Sequence, residues 1–381
     1  MQGNGNPLRY AIMHHKIVEA CLKDERIDPN SKDDDGCTPL HCAVKHGNEK
    51  VVDAFLIDER VDPNSKDSGG CTPLHCAVQY CGENVVEAFL KDERVDPNSK
   101  DNGGRTPLHC ARGEKVVEAF LKDDRVDPNS KDNGGRTPLH CAGHYTNQCT
   151  SEKVVEAFLK DDRVDPNSKD DGGRTPLHCA GQYRGEKVVE AFLKDDRVES
   201  NSKDNDGRTP LYYAVKHGNE MAVRAFFEIC PDDKNCKDND GRTLLHCAVE
   251  HGNEMVLEAL LKGGIDLNSK DNDGRAPLHY AVEFGEFVEA FLNDDRVDPN
   301  IKDNDGCTPL HCAIKHRNVK VVKAFLKNGR ADLNMKNNLG CTPLDIARGN
   351  SHIPHNPDIV DLLQTSTSVL KRLASLWKFW K

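Results

Sequence analysis

The sequence predicts an all-α solenoid, a stack of about eleven short helix-turn-helix units in place of one globular core. Three observations predict it. The six-residue stretch Thr-Pro-Leu-His-Cys-Ala starts at Thr38, Thr72, Thr106, Thr137, Thr175 and Thr308, with edited copies starting at Thr209, Thr243, Ala276 and Thr342. Successive starts lie 31 to 38 residues apart, most often 34, and a truncated copy opens the chain at Pro7. Each copy is preceded by an Asp/Asn-rich run closing on Gly, and followed by a second apolar stripe at helical spacing.

Each element of the unit has a mechanical reason. Runs such as Asn205-Asp206-Gly207 make tight turns, where Gly supplies a positive φ and Asn or Asp bonds the backbone. Thr before Pro places a hydroxyl cap ahead of a residue whose fixed φ suits a first helical position. A short helix follows and stops at pairs such as Gly47-Asn48. In the second helix Val51, Val52, Phe55 and Leu56 form one apolar stripe, while Asp53 points away from it. That helix ends before Asp-Pro-Asn, which Pro cannot continue. One unit alone cannot bury its stripe, whereas stacked units can.

The unit resembles an ankyrin repeat in its turn, its paired helices, its Thr-Pro-Leu-His-x-Ala signature and its period. The resemblance covers roughly residues 5–364. The fold class it implies is an ankyrin-repeat solenoid with short turn or β-hairpin fingers. The chain departs from the family at the exit of the second helix. The family ending is Gly-Ala-Asp-Val-Asn; most units here read one residue longer, as in Asp92-Glu93-Arg94-Val95-Asp96-Pro97-Asn98. That exit lacks its Gly cap, and a looser loop is expected. Four segments follow: a capping repeat with its hairpin over 1–37, the array over 38–341, a second capping repeat over 342–364, and a tail helix over 365–381.

Composition narrows the function. With 63 acidic against 52 basic residues the net charge is −11, which argues against nucleic-acid binding by bulk electrostatics. Residues 1–6 are polar and no apolar h-region follows, so no signal peptide is expected, and no run has the length of a membrane span. Cys42, Cys76, Cys110, Cys141, Cys179, Cys247 and Cys312 share one slot of successive repeats. Stacked helices stand about 8–10 Å apart, and a disulfide tolerates a Cα separation of only about 7 Å. These cysteines read as small buried residues of a reducing compartment.

The row His41, His75, His109, His140, His178, His246, His279 and His311 tempts a metal reading. There is no Cys-x-x-Cys, and the repeat spacing is too long for one ion to be shared, so no metal and no cofactor is expected. The ankyrin resemblance implies instead that this His bonds backbone between neighbouring repeats. Phosphate-binding loops, dinucleotide Gly patterns and nucleophile motifs are absent from the sequence, so no catalytic residue is assigned and the chain reads as a non-enzyme.

The residue before each Thr-Pro carries the useful signal. The resemblance places it on the turn, facing the concave groove. It is Arg105, Arg136, Arg174, Arg208, Arg242 and Arg275 in six consecutive repeats, and Cys37, Cys71, Cys307 and Cys341 in others. Such a row suits a protein partner with an acidic, extended surface. Asp101, Asp132, Asp170, Asp204, Asp238 and Asp271 stand four residues earlier, so a contact surface and a set of local ion pairs both remain open. A second variable set closes the first helix and includes Tyr80, Tyr183, His217, His251 and Phe284. Irregular lengths at 111–115 and 143–152 are expected to disturb the groove.

The tail leaves the repeat pattern. Val369, Leu370, Leu373, Leu376, Trp377 and Trp380 make one apolar helical stripe, and Lys371, Arg372, Lys378 and Lys381 occupy the rest. A cap on the last repeat, a weak membrane contact and a partner or export signal all suit it. The chain therefore reads as a monomeric, cytoplasmic scaffold that binds a protein along the ankyrin groove. Two alternatives stay open: a peripheral membrane adaptor anchored by the tail, and an effector of an intracellular bacterium acting in a host cytosol.

Overall fold

The computed structural model describes residues 7–143, 151–183, 185–349 and 355–366. It divides into two compact units, Met1–Asn205 and Asp206–Lys381. Six repeats build the first and five the second. Each repeat is an inner helix that starts at the Pro of the signature, an outer helix carrying the apolar stripe, and a finger turn leading onward. Among the described residues there is no β-strand, so the fingers are turns.

In the first unit the inner and outer helices are Pro7–Ala11 and His15–Leu22, Pro39–Lys45 and Glu49–Ile57, Pro73–Tyr80 and Glu83–Lys91, then a 3-10 turn Pro107–Cys110 with Glu114–Leu121, Pro138–Ala142 with Ser151–Leu159, and Pro176–Gln182 with Glu186–Leu193. In the second they are Pro210–Lys216 and Glu220–Ile229, Leu244–Glu250 and Glu254–Lys262, Pro277–Phe284 and Val288–Leu292, Pro309–Lys315 and Val319–Asn328, and Pro343–Arg348 followed by a helix over 357–366. Within each unit inner packs on inner and outer on outer. The irregular lengths seen in the sequence shorten the inner elements at Pro107 and Pro138.

A buried Phe fills the core in eight of the outer helices, and Leu260 takes that place in Glu254–Lys262. Phe55, Phe89, Phe120, Phe158 and Phe192 in the first unit, and Phe226, Phe291 and Phe325 in the second, are 0–1% exposed. Each contributes roughly 1.5–3 kcal/mol by burial. The inner helices start as the sequence predicts: Thr38 Oγ1 lies 2.9 Å from His41 Nδ1, and the Thr38 N–H donates to the same nitrogen at 3.1 Å. A backbone N–H only donates, so Nδ1 accepts and the proton sits on Nε2.

The exit of the outer helix corrects the sequence reading: the loop there is tied rather than loose. Arg94 pairs with Asp92 and donates to the carbonyl of Val61 in the preceding repeat at 3.2 Å. Arg125 reaches Leu90 O at 2.6 Å, and in the second unit Arg330 reaches Leu292 O at 2.6 Å. A guanidinium from the following repeat supplies the cap that Gly supplies elsewhere. Asn64 and Asn98 add a parallel row: their amides donate to the carbonyls of Arg94 and Arg125 at 2.6 and 2.7 Å.

Candidate functional site

The inner helices and fingers fix the residue before each Thr-Pro from two sides. The imidazole of the preceding repeat holds its carbonyl: His75, His109 and His140 donate Nε2–H to Arg105 O, Arg136 O and Arg174 O, each at 2.9 Å. His41 does the same to Cys71 O at 3.0 Å; in the second unit His246 donates to Arg275 O at 2.9 Å and His311 to Cys341 O at 3.2 Å. Burial keeps these rings neutral, with His140 and His246 pushed down to about 4. They are backbone staples, as the resemblance implied.

The Asp four residues earlier holds the other side. Asp101 Oδ1 accepts the N–H groups of Gly103 and Arg105 at 2.8 and 2.9 Å, and Oδ2 takes Arg105 Nε at 2.9 Å. Asp132 and Asp170 repeat the arrangement, taking Arg136 Nε at 3.1 Å and Arg174 Nε at 3.0 Å. The side chains of these three carboxylates are only 1–2% exposed, whereas those of Arg105, Arg136 and Arg174 are 51, 40 and 37% exposed. Burial pushes the Asp101 carboxyl up, but the N–H and guanidinium of Arg105 outweigh it and hold the group below the usual carboxylate range.

The second unit turns its arginines elsewhere. Arg242 Nη1 lies 3.5 Å from Glu250 Oε2, and Arg275 bonds Glu283. Both guanidinium groups flank the ring of Tyr280, at 5.8 and 4.5 Å from its centroid, a cation–π arrangement. Tyr280 stands in the Cys slot, and its hydroxyl donates to Asp271 Oδ2 at 2.8 Å, where the first unit has an Arg. Asp238, which accepts the Arg242 backbone N–H at 2.8 Å, is pushed up by burial. Arg208 pairs with Asp206 at 2.6 Å and lies 5.3 Å from the Tyr212 ring centroid.

At Arg242 and Arg275 the guanidinium goes to the residue eight positions on, at the end of the inner helix, whereas Arg208, with Lys216 there, turns to Asp206. That residue is Glu250 for Arg242 and Glu283 for Arg275. The same eight-residue contact joins Lys45 Nζ to Cys37 Sγ and Lys315 Nζ to Cys307 Sγ, each at 3.1 Å. Eight residues after Arg105 and Arg174 stand Gly113 and Gln182, which carry no charge to draw the guanidinium across. The pre-Thr-Pro position and the inner-helix end therefore share one face.

The other predicted residues occupy that face unevenly. Tyr80 is 55% and Phe284 46% exposed. His217 stacks on Tyr213 with ring centroids 6.4 Å apart. His251 donates Nδ1–H to Cys247 O at 3.1 Å, and Tyr183 ends its helix half-buried. Leu373, Trp377, Trp380, Lys371, Arg372 and Lys378 lie outside the described residues, as does 144–150 of the long loop. Among the described residues no helix is long and apolar enough to cross a membrane.

All fifteen described cysteines are free thiols, and burial pushes Cys76 and Cys247 up to about 12. One described cluster brings potential metal ligands together: atoms of His279, Asp303 and Cys312 lie within 4.8 Å of one another. His279 has no nitrogen to spare, since Nδ1 accepts the Ala276 N–H at 3.1 Å and Nε2 donates to Cys307 O at 3.2 Å. That cluster is a rung of the stack.

Comparison with known families places matches along nearly all of the chain. Residues 8–101, 84–170, 144–235 and 222–303 match ankyrin repeats described as three copies, and residues 286–347 match ankyrin repeats described as many copies. Among solved structures 555 chains match. One is the crystal structure of the ankyrin repeat domain of Bcl-3, described as a unique member of the IkappaB protein family. It is 26% identical with a TM-score of 0.54, and the match covers 61% of this chain and 100% of that one. No curated protein matches.

Proposed function

This chain belongs to the ankyrin-repeat family, and we propose that it is a non-catalytic scaffold that holds a protein partner along the groove lined by its inner helices and fingers. The observation that carries the reading is the shared face. Contacts between the pre-Thr-Pro residue and the inner-helix end, as in Arg275 with Glu283, put both variable sets of the repeat side by side. The pre-Thr-Pro position is Arg in six consecutive repeats while the inner-helix end changes from unit to unit, and exposed charges and aromatics of this kind suit protein recognition. The partner presents an acidic, extended surface to the arginines. The scaffold works as a monomeric adaptor in a reducing cytosol, a setting supported by its free thiols.

The test is affinity capture from eukaryotic cell lysate, read by mass spectrometry. The full chain is compared with the variant R136E/R174E/R208E, after thermal melting confirms that both fold. A partner held by the first and lost by the second is expected. A partner held equally by both removes the groove reading.

A further inference from the structure

We propose that the first unit reads an extended acidic chain carrying a carboxylate at every third residue. The inference rests on the protein-binding reading and narrows it to a register. Arg105, Arg136 and Arg174 are set alike three times over. A His from the preceding repeat holds each carbonyl at 2.9 Å. A buried Asp takes each backbone N–H at 2.9 Å and each Nε at 2.9–3.1 Å. The cation is thereby ordered during folding, with its outer edge exposed and its counter-ion beneath it, so little rotamer freedom remains to be lost on binding.

Spacing then selects the ligand. Stacked helices repeat at about 8–10 Å. A polyproline II chain has three residues per turn and rises about 3.1 Å per residue, so every third side chain returns to one face about 9 Å further on, whereas a β-strand puts every third side chain on the opposite face. Two residues fall short at about 6 Å, four overshoot at about 12 Å, and neither returns to the same face. The chain as a whole carries a net charge of −11, so bulk attraction does not hold an acidic peptide, and local register has to. In the second unit Glu250 and Glu283 already occupy Arg242 and Arg275, which removes those arginines from such a row.

The test uses the full chain and three synthetic peptides of one composition, each with three Glu residues separated by neutral residues at intervals of three, two or four. Binding is read by fluorescence anisotropy at about 0.15 M salt, where only charges within about 8 Å act strongly. The interval-of-three peptide is expected to bind about fivefold or more tightly than its isomers, a modest factor because exposed ion pairs are individually weak. Arg136→Gln should erase that preference. Equal binding of the three isomers overturns the proposal on the wild-type chain alone, as does a preference that survives Arg136→Gln. If the isomers bind equally while R136E/R174E/R208E still loses a captured protein, the register fails and the protein-binding reading stands. If capture and peptide binding both fail, both readings fall.

Discussion

Nη2 of Arg125 donates to the carbonyl oxygen of Leu90 at 2.6 Å, 35 residues back and one repeat away. Nη1 adds the carbonyl of Val95 at 3.1 Å, and Asp123 holds the guanidinium at 2.6 Å. The tie closes a helix end that has no Gly cap. Arg125→Ala should lower stability by about 1 kcal/mol, the net worth of such bonds at a half-exposed site. Arg26 is the control: among the described residues it pairs with Asp24 alone, in its own turn, and its side chain is 89% exposed. Arg26→Ala should leave the melting temperature unchanged. Equal losses in the two variants would mean that the reach into the preceding repeat adds nothing.

Gly104 and Gly47 separate two costs that sequence alone merges. Both have positive φ, +76° and +69°. A Cβ on Gly104 would stand 2.3 Å from Asn133 Oδ1 and 2.7 Å from its backbone nitrogen, whereas Gly47 has nothing within 4 Å. Gly47→Ala should cost only the left-handed conformation, about 1–2 kcal/mol. Gly104→Ala adds a collision with the next finger and should cost about 2–4 kcal/mol. Urea titration of both variants checks the order, and a larger loss at Gly47 would show that the fingers do not approach so closely.

The His staples make the fold acid-sensitive in a defined window. Burial lowers His41, His75, His109 and His140 in the first unit, and His246, His279 and His311 in the second, from the ordinary 6.5. Above pH 6.5 neither folded nor unfolded rings bind a proton, and the stabilisation is intact. Between 6.5 and about 4 the unfolded chain takes up protons that His140 and His246 refuse, so stability falls as pH falls. The carboxylates held low by their arginines, such as Asp101 and Asp123, act at more acid pH. Melting temperature should therefore drop most steeply between pH 6.5 and 4.5. A flat profile there, with loss only below pH 4, would assign the acid sensitivity to the carboxylates.

Much of the fold was legible because its causes are local or periodic. Thr38, Pro39 and His41 write a helix start within four residues, and a Phe marks the core in most of the outer helices. The tied exit was not legible, because the group that caps the end of the helix at Leu90 is Arg125, which local propensity does not connect to it. The six arginines look equivalent in sequence since each follows an Asp by four residues. Arg242 and Arg275 separate from the others at the eighth residue onward, where Glu250 and Glu283 take the guanidinium in place of Asp238 and Asp271. The division at Asn205 has no marker comparable to the repeat signature.

That eighth residue yields a prediction about the site. If Glu250 and Glu283 turn Arg242 and Arg275 across the face, then E250Q/E283Q should release both guanidinium groups toward solvent. The pairs are partly exposed, with side-chain exposures of 27–39%, so the fold should lose no more than about 1 kcal/mol. The released arginines sit in adjacent repeats, and the spacing argument then applies to them as it does to Arg105 and Arg136. An acidic peptide with Glu at every third residue should bind the wild-type chain once and the variant twice, the second site being weaker because it has two cations instead of three. Calorimetry reads the stoichiometry directly. A ratio that stays at one, with both proteins folded, would show that Tyr280, which both guanidinium groups flank, holds the arginines in place without the glutamates.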